Sequence, residues 1–332
     1  MRIRRVLAAL AISGLAGATF VSTATADAPD QGDTEVHLSP AGSDDNDGSA
    51  AEPVQTLTGA VSLLAESDTD LATVWIEPGT YYEPAQVNWQ NVPQQRVSLR
   101  PSVENERPVF DGSQGGEGGV SHYWLNTAGG PSLDIEGLEV RNYRTGGIRM
   151  DTDGNVVHDV IFHQIGNQHV ADGPGYGALH LLGSSDNEVS DVMFRDLENV
   201  DCPGCMHGVY AANGSSDNYV TGSHFERITG DPIRLRHDSH RNVFEHNSFS
   251  QAGINRDEDG RWPHRATASF WVFNDQEVCG SQNRVDRNVT DGRDYNGYPG
   301  QNMMFGSGAE PGLDRCPRAI LGQGNTRMSQ VP

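Results

Sequence analysis

Lysine is absent from this chain of 332 residues; all 23 of its basic side chains other than histidine are arginine. Any mechanism that needs a lysine base is thereby excluded. Positive charge is scarce as well, since 45 acidic residues leave a formal charge of −22. A surface so acidic will not hold nucleic acid through its phosphates, which requires clustered cations. An anionic ligand would need a local arginine-rich site to overcome the overall repulsion. Long apolar runs are missing beyond the first residues, so no later stretch is suited to cross a bilayer. Cysteine is limited to Cys202, Cys205, Cys279 and Cys316.

What is present begins with a leader. Arg2, Arg4 and Arg5 precede an apolar run from Val6 to Val21, and Ala24-Thr25-Ala26 offers a small-residue cleavage site. This pattern predicts a secretory signal over residues 1–26 and a mature, extracellular chain over 27–332 with no membrane span. Outside the cell, an even cysteine count reads as disulfides. Four cysteines allow three pairings, of which Cys202–Cys205 with Cys279–Cys316 is the expected one. Cys202-Pro-Gly-Cys205 would also suit a redox motif, or a zinc site with His207. No βαβ pattern surrounds it, however, and no second ligand pair lies nearby in sequence.

Internal repetition decides the fold class. The unit Asn155-Val-Val-His-Asp-Val-Ile-Phe162 returns at Asn187–Phe194, Asn218–Phe225 and Asn242–Phe249, and in decayed form at Asn283–Thr290. Its asparagines are 32, 31, 24 and 41 residues apart. Each is preceded by a short alternating run: Gly147–Met150, Ala178–Leu181, Gly208–Ala211, Pro232–Leu235 and Ser269–Val272. Runs with period two, bounded by Gly, Asn, Asp and Ser, are strands and turns. Two short strands per unit with variable insertions describe one coil of a β-solenoid, whose coils bury their apolar faces only by stacking. The asparagines are expected to bond up the stack and to hold a left-handed bend.

A cap is expected at the amino end, over residues 35–85. Glu35–Ser39 reads as a strand, and Gly42–Gly48 as an acidic turn. Leu57, Ala60, Val61 and Leu64 fall at helical spacing behind Thr56, an N-cap residue type. Coils should fill residues 130–290, and 291–332 should close the other end.

The stretch HLSPAGSDDNDGSAAEPVQTLTGAVSLL with VWIEPGTYYE, followed by IEGLEV and NEVSDVMF, resembles the pectate-lyase-like superfamily of secreted β-helix proteins. The signals cover most of residues 35–290. They imply an all-β fold: a single-stranded right-handed parallel β-helix with an N-terminal capping helix. They imply much less about reaction, because that superfamily includes lyases, epimerases, hydrolases and members without known activity.

The repeat alignment also suggests a site. If Ile148, Leu179, Val209, Ile233 and Phe270 point inward, then Arg149, His180, Tyr210, Arg234 and Trp271 point outward on successive coils. At ~4.8 Å per coil they form one exposed row about 20 Å long. Arg236 follows on the same side.

Such a row suits elimination from a uronic acid. A guanidinium pairs with the carboxylate, a base takes the C5 proton, and an acid protonates the departing oxygen. His180, Tyr210, Arg234 and Arg236 are the candidate catalytic residues. Arg149, His207, His237, Trp271 and Trp262 are candidates for substrate binding, although His237 should point inward or lie in a turn. The competing reading is that outward β-helix residues are polar in any case, and that Tyr and Arg side chains stack there as ordinary sheet packing.

Three rival functions stand beside the lyase. A polygalacturonase-type hydrolase is echoed by His207-Gly208 followed by Arg234-Leu-Arg236, but needs two carboxylates that the row lacks. A uronate C5-epimerase is echoed by Asp231-Pro232, without the histidine expected next. A non-catalytic carbohydrate-binding β-helix would use the same aromatic and arginine residues. The expected partner is an acidic polysaccharide, bound by a monomer. No cofactor is indicated with certainty. Calcium is a candidate ion, and Ser43–Gly48 alternates oxygen ligands but lacks the bidentate Glu of an EF-hand loop.

Overall fold

The computed structural model describes residues 33–83, 85–114, 122–166, 176–199, 202–253, 267–299 and 305–328. The signal segment expected over residues 1–26 lies outside these. The chain from Asp33 onward is one compact unit, built of three parallel sheets of ten, eight and nine strands. Successive coils add one strand to each sheet, in sequence order, through all 24 strand pairings.

A coil therefore holds three strands rather than two. The asparagine-headed unit contains both Val156–His158 and Ile161–Ile165, which belong to different sheets. The break falls at Asp159, in the left-handed region at φ 48°. Its equivalents Asp191, Gly222, His246 and Arg287 share that conformation. Val157, Val160 and Phe162 are all buried. The apolar spacing thus slips from two to three across the bend, which marks a turn rather than one continuous strand.

The asparagines form a continuous buried ladder. Asn155 Nδ2 donates to Asn187 Oδ1 at 2.7 Å, Asn187 to Asn218 at 2.6 Å, Asn218 to Asn242 at 2.8 Å and Asn242 to Asn283 at 2.9 Å. Each acceptor oxygen also takes the backbone N–H of the asparagine before it. The left-handed residue is not the asparagine itself but the one preceding it: Gly154, Asp186, Asp217, Arg241 and Gln282. A second ladder runs five residues further on, through Asn247, Asn288 and Asn325. Inside, Phe162, Phe194, Phe225 and Phe249 stack with ring centroids 4.6 to 5.8 Å apart.

The helix forms at Leu57–Leu64, with Thr56 Oγ1 accepting from Gly59 N at 2.9 Å. Leu57, Ala60 and Leu64 are fully buried against the first coil. The acidic turn holds the start of this helix. Asp44 accepts from the backbone of Gln55 and Thr56 and from the Thr56 hydroxyl. Glu83, buried, accepts from Leu57 N and Thr58 Oγ1, and burial raises its pKa. Among the described residues, no three His, Cys, Asp or Glu side chains gather as a metal site. Both expected disulfides are formed, Cys202–Cys205 and Cys279–Cys316. No described helix is long and apolar enough to cross a membrane.

Candidate functional site

The eight-stranded sheet carries the row. Its strands Tyr123–Asn126, Gly146–Met150, Gly177–Leu182, His207–Ala212, Ile233–Leu235 and Ala268–Val272 stack in that order. The register aligns Asn126, Arg149, His180, Tyr210, Arg234 and Ser269. Leu179, Val209, Ile233 and Leu235 face the core between them, with no exposure.

Two sequence expectations need correction here. Trp271 is not the next member of the row, because Ser269 pairs with Arg234 and Trp271 sits two residues along. Alternation of period two is unchanged by a slip of two residues, so the pattern Ser-Phe-Trp-Val fits either frame. The row is also not an exposed stripe. His180, Tyr210 and Arg234 are 7%, 8% and 7% exposed, on the outer face of the sheet but covered by neighbouring side chains.

Those neighbours define the chemistry. The Tyr123 hydroxyl is hydrogen-bonded to His180 Nδ1. Tyr176 stacks on the His180 ring at 5.4 Å, and Tyr210 meets it edge-on at 4.7 Å. Burial, then the charges of Arg149 and Arg236, push the His180 pKa down to about 3. The imidazole is therefore neutral at any ordinary pH. Its Nε2 is buried and has no hydrogen-bond partner among the described residues.

The three arginines differ. Arg234 donates to Asp231 Oδ2 at 2.5 Å, and the same oxygen accepts from Ser269 Oγ at 2.7 Å. Its guanidinium lies 5.3 Å from the Trp271 ring centre, which keeps Trp271 beside the row despite the shifted register. Arg236 donates to the Tyr210 hydroxyl at 2.6 Å, pairs with Glu277 and lies over Phe273. Arg149 donates only to the neutral Asn126 Oδ1, at 3.2 Å. It is the arginine of this row with no carboxylate partner among the described residues.

His207 is buried beside Tyr210, its Nδ1 donating to the Asp231 carbonyl at 2.7 Å. His237 is not brought to the row. It lies in a turn at φ 22°, and its Nδ1 accepts from Val278 N at 3.0 Å. That bond braces the turn. Trp262 lies outside the described residues.

Sequence reasoning missed Tyr123, Asn126, Tyr176, Ser269 and Glu277 as site residues, and met Asp231 only in the epimerase-like Asp231-Pro232. Asn126 was within reach, since extending the alternation one coil back to Tyr123-Trp-Leu-Asn126 places it in the row. Asp231, three residues before Arg234, and Glu277, 41 residues after Arg236, both lie outside the strands, so no periodic signal marks them.

The stacked parallel sheets define a parallel β-helix that carries a covered polar row on one outer face. The chain belongs to the right-handed β-helix family, whose pattern it matches over residues 121–304. No curated protein matches it. Among solved structures it is similar to an alginate lyase from Paenibacillus at 14% identity and TM-score 0.49, covering 82% of this chain and 97% of that one. A pectate lyase gives 14% identity and TM-score 0.47, covering 88% and 78%. The lacto-N-biosidase from Eubacterium ramulus gives 14% and 0.50, covering 89% and 56%. At such identities the likeness concerns the fold alone.

Proposed function

We propose that the chain is a secreted polysaccharide lyase that cleaves uronic-acid-containing chains by β-elimination. One observation carries the reading: Arg149, with no carboxylate partner among the described residues, stands in register with the neutral His180 and with Tyr210. A uronate carboxylate paired with Arg149 would acidify its C5–H directly over these two groups. Arg234 and Arg236, each already paired with a carboxylate, serve the site by holding Asp231, Tyr210 and Glu277 in place. Arg149 also supplies the local positive charge that an anionic ligand needs against a chain of net charge −22. The predicted leader, the two disulfides and the soluble acidic character agree with an extracellular polymer as substrate.

A hydrolase is the second reading, because Asp231 and Glu277 do bring carboxylates to the row. Both are engaged by arginine, which favours elimination over a free acid and base pair.

Incubation with pectate, alginate, glucuronan and glycosaminoglycans, with and without a chelator, tests the proposal. A lyase leaves an unsaturated product that absorbs in the ultraviolet. New reducing ends without that absorbance on every polymer would replace the lyase with the hydrolase, and binding without turnover would leave only a lectin.

A further inference from the structure

His180 and Tyr210 were interchangeable as candidate bases, and the hydrogen bonds around His180 separate them. We infer that Tyr123 is a positioning residue that fixes His180 as its Nε2–H tautomer, so that His180 donates a hydrogen bond to the bound sugar and Tyr210 is the base. The inference deepens the lyase reading and rests on it for the second half.

Counting unsatisfied groups decides the tautomer. Tyr123 is 7% exposed and has His180 Nδ1 as its hydrogen-bond partner. If Tyr123 donates to Nδ1, the one unmet group is the Nε2–H. If Nδ1 donates instead, the Tyr123 proton has no acceptor and Nε2 has no donor, which leaves two buried groups unmet. Each such group costs about 1–3 kcal/mol, so the first arrangement wins. Burial raises the Tyr123 pKa, which keeps the phenol proton in place. The groups facing His180 are Tyr123, Tyr176 and Tyr210, with Arg149 and Arg236 acting through their charge. None of the five accepts from Nε2, and no other described residue does; the inference gives that place to a ligand oxygen.

A neutral imidazole with hydrogen on Nε2 has no lone pair there to take a proton. It can instead hold an oxygen of the substrate carboxylate, together with Arg149. Tyr210 is then the group left to act, with Arg236 donating to its oxygen. With its own proton first given up to solvent, the Tyr210 oxygen takes the C5 proton, and the C5–H electron pair becomes the C4–C5 double bond. The C4–O pair leaves on the glycosidic oxygen, which takes the same proton back from Tyr210. Atoms and charge balance with no co-reactant.

The test is nitrogen NMR of the intact protein carrying ring-labelled histidine, with the His180 signals assigned by their loss in His180→Gln. The Nε2–H tautomer should persist between about pH 5 and pH 9 without titrating near the ordinary histidine value. Tyr123→Phe, which removes only the hydroxyl, should convert that signal to a tautomer mixture and change kcat more than KM. An Nδ1–H tautomer in the unmodified protein overturns the inference, as does an unchanged tautomer in Tyr123→Phe; the unmodified protein alone suffices if the variant misfolds. Failure on every uronate polymer with the predicted tautomer removes the lyase reading and leaves the tautomer standing. Lyase activity with the opposite tautomer does the reverse.

Discussion

Two buried polar arrays run along the same coils, one at the asparagine turn and one on the eight-stranded sheet, and they differ in completeness. In the asparagine ladder every side-chain amide has its donors and acceptors met, by the neighbouring asparagine and by backbone and hydroxyl groups beside it. On the sheet, His180 Nε2, Arg234 Nε and Arg236 Nε are buried without partners among the described residues. Buried polar groups are nearly always satisfied, so a satisfied array is explained by folding alone. An array with three unmet nitrogens on one patch asks for something else to supply oxygen atoms. The contrast agrees with a ladder that serves stability and with the proposal of ligand binding at the row.

That division can be broken by experiment. The largest effect should come from Tyr210→Phe, which is expected to lower turnover on the active uronate polymer by about 10²–10⁴-fold, the usual worth of general acid–base catalysis. Its urea midpoint should stay close to that of the unmodified chain. Equal losses in both measurements would merge the two arrays into one structural role.

Asn218→Ala should do the opposite. It removes the acceptor for Asn187 N and Nδ2, two groups at roughly 1–3 kcal/mol each. A loss of about 2–6 kcal/mol in urea unfolding is expected by that measure, with kcat per folded molecule preserved.

The third expectation concerns acid. Folded His180 stays neutral down to about pH 3, whereas an unfolded histidine takes its proton near ~6.5. Between those values the unfolded state binds more protons, so stability falls as pH drops through that window. His180→Gln should make unfolding free energy fall less steeply there, by up to about 1.4 kcal/mol per pH unit. An unchanged slope would mean that His180 is charged in the folded protein.

Arg149→Ala should have the smallest effect, a fall in kcat/KM on uronate polymer of about tenfold, or ~1.4 kcal/mol. No change on uronate would pass carboxylate binding to another arginine and weaken the distinction drawn between Arg149 and its paired neighbours.

Much of the scaffold was legible because a solenoid writes its geometry into sequence once per coil. The asparagine spacing located the ladder, and Thr56 located the helix. The even cysteine count pointed to disulfides. The third strand per coil was overlooked because Val157 and Phe162 look like one run until the shift at Val160 is noticed. The row from Arg149 to Arg234 was legible for the same reason as the coils. Its last member was not, since variable insertions hide whether Ser269 or Trp271 faces Arg234.

The sequence by itself determined which side chains could share a face, because strand alternation and stacked coils are local rules repeated many times. Only the tertiary structure decided how those side chains are used. Tyr123 reaches His180 across two rungs, Asp231 and Glu277 enter from outside the strands, and the row is covered rather than open. Hydrogen-bond partners, burial and the resulting neutrality of His180 depend on distances between residues far apart in the chain. Periodicity carries no information about those distances, and they separate an arginine already paired from one ready for a substrate.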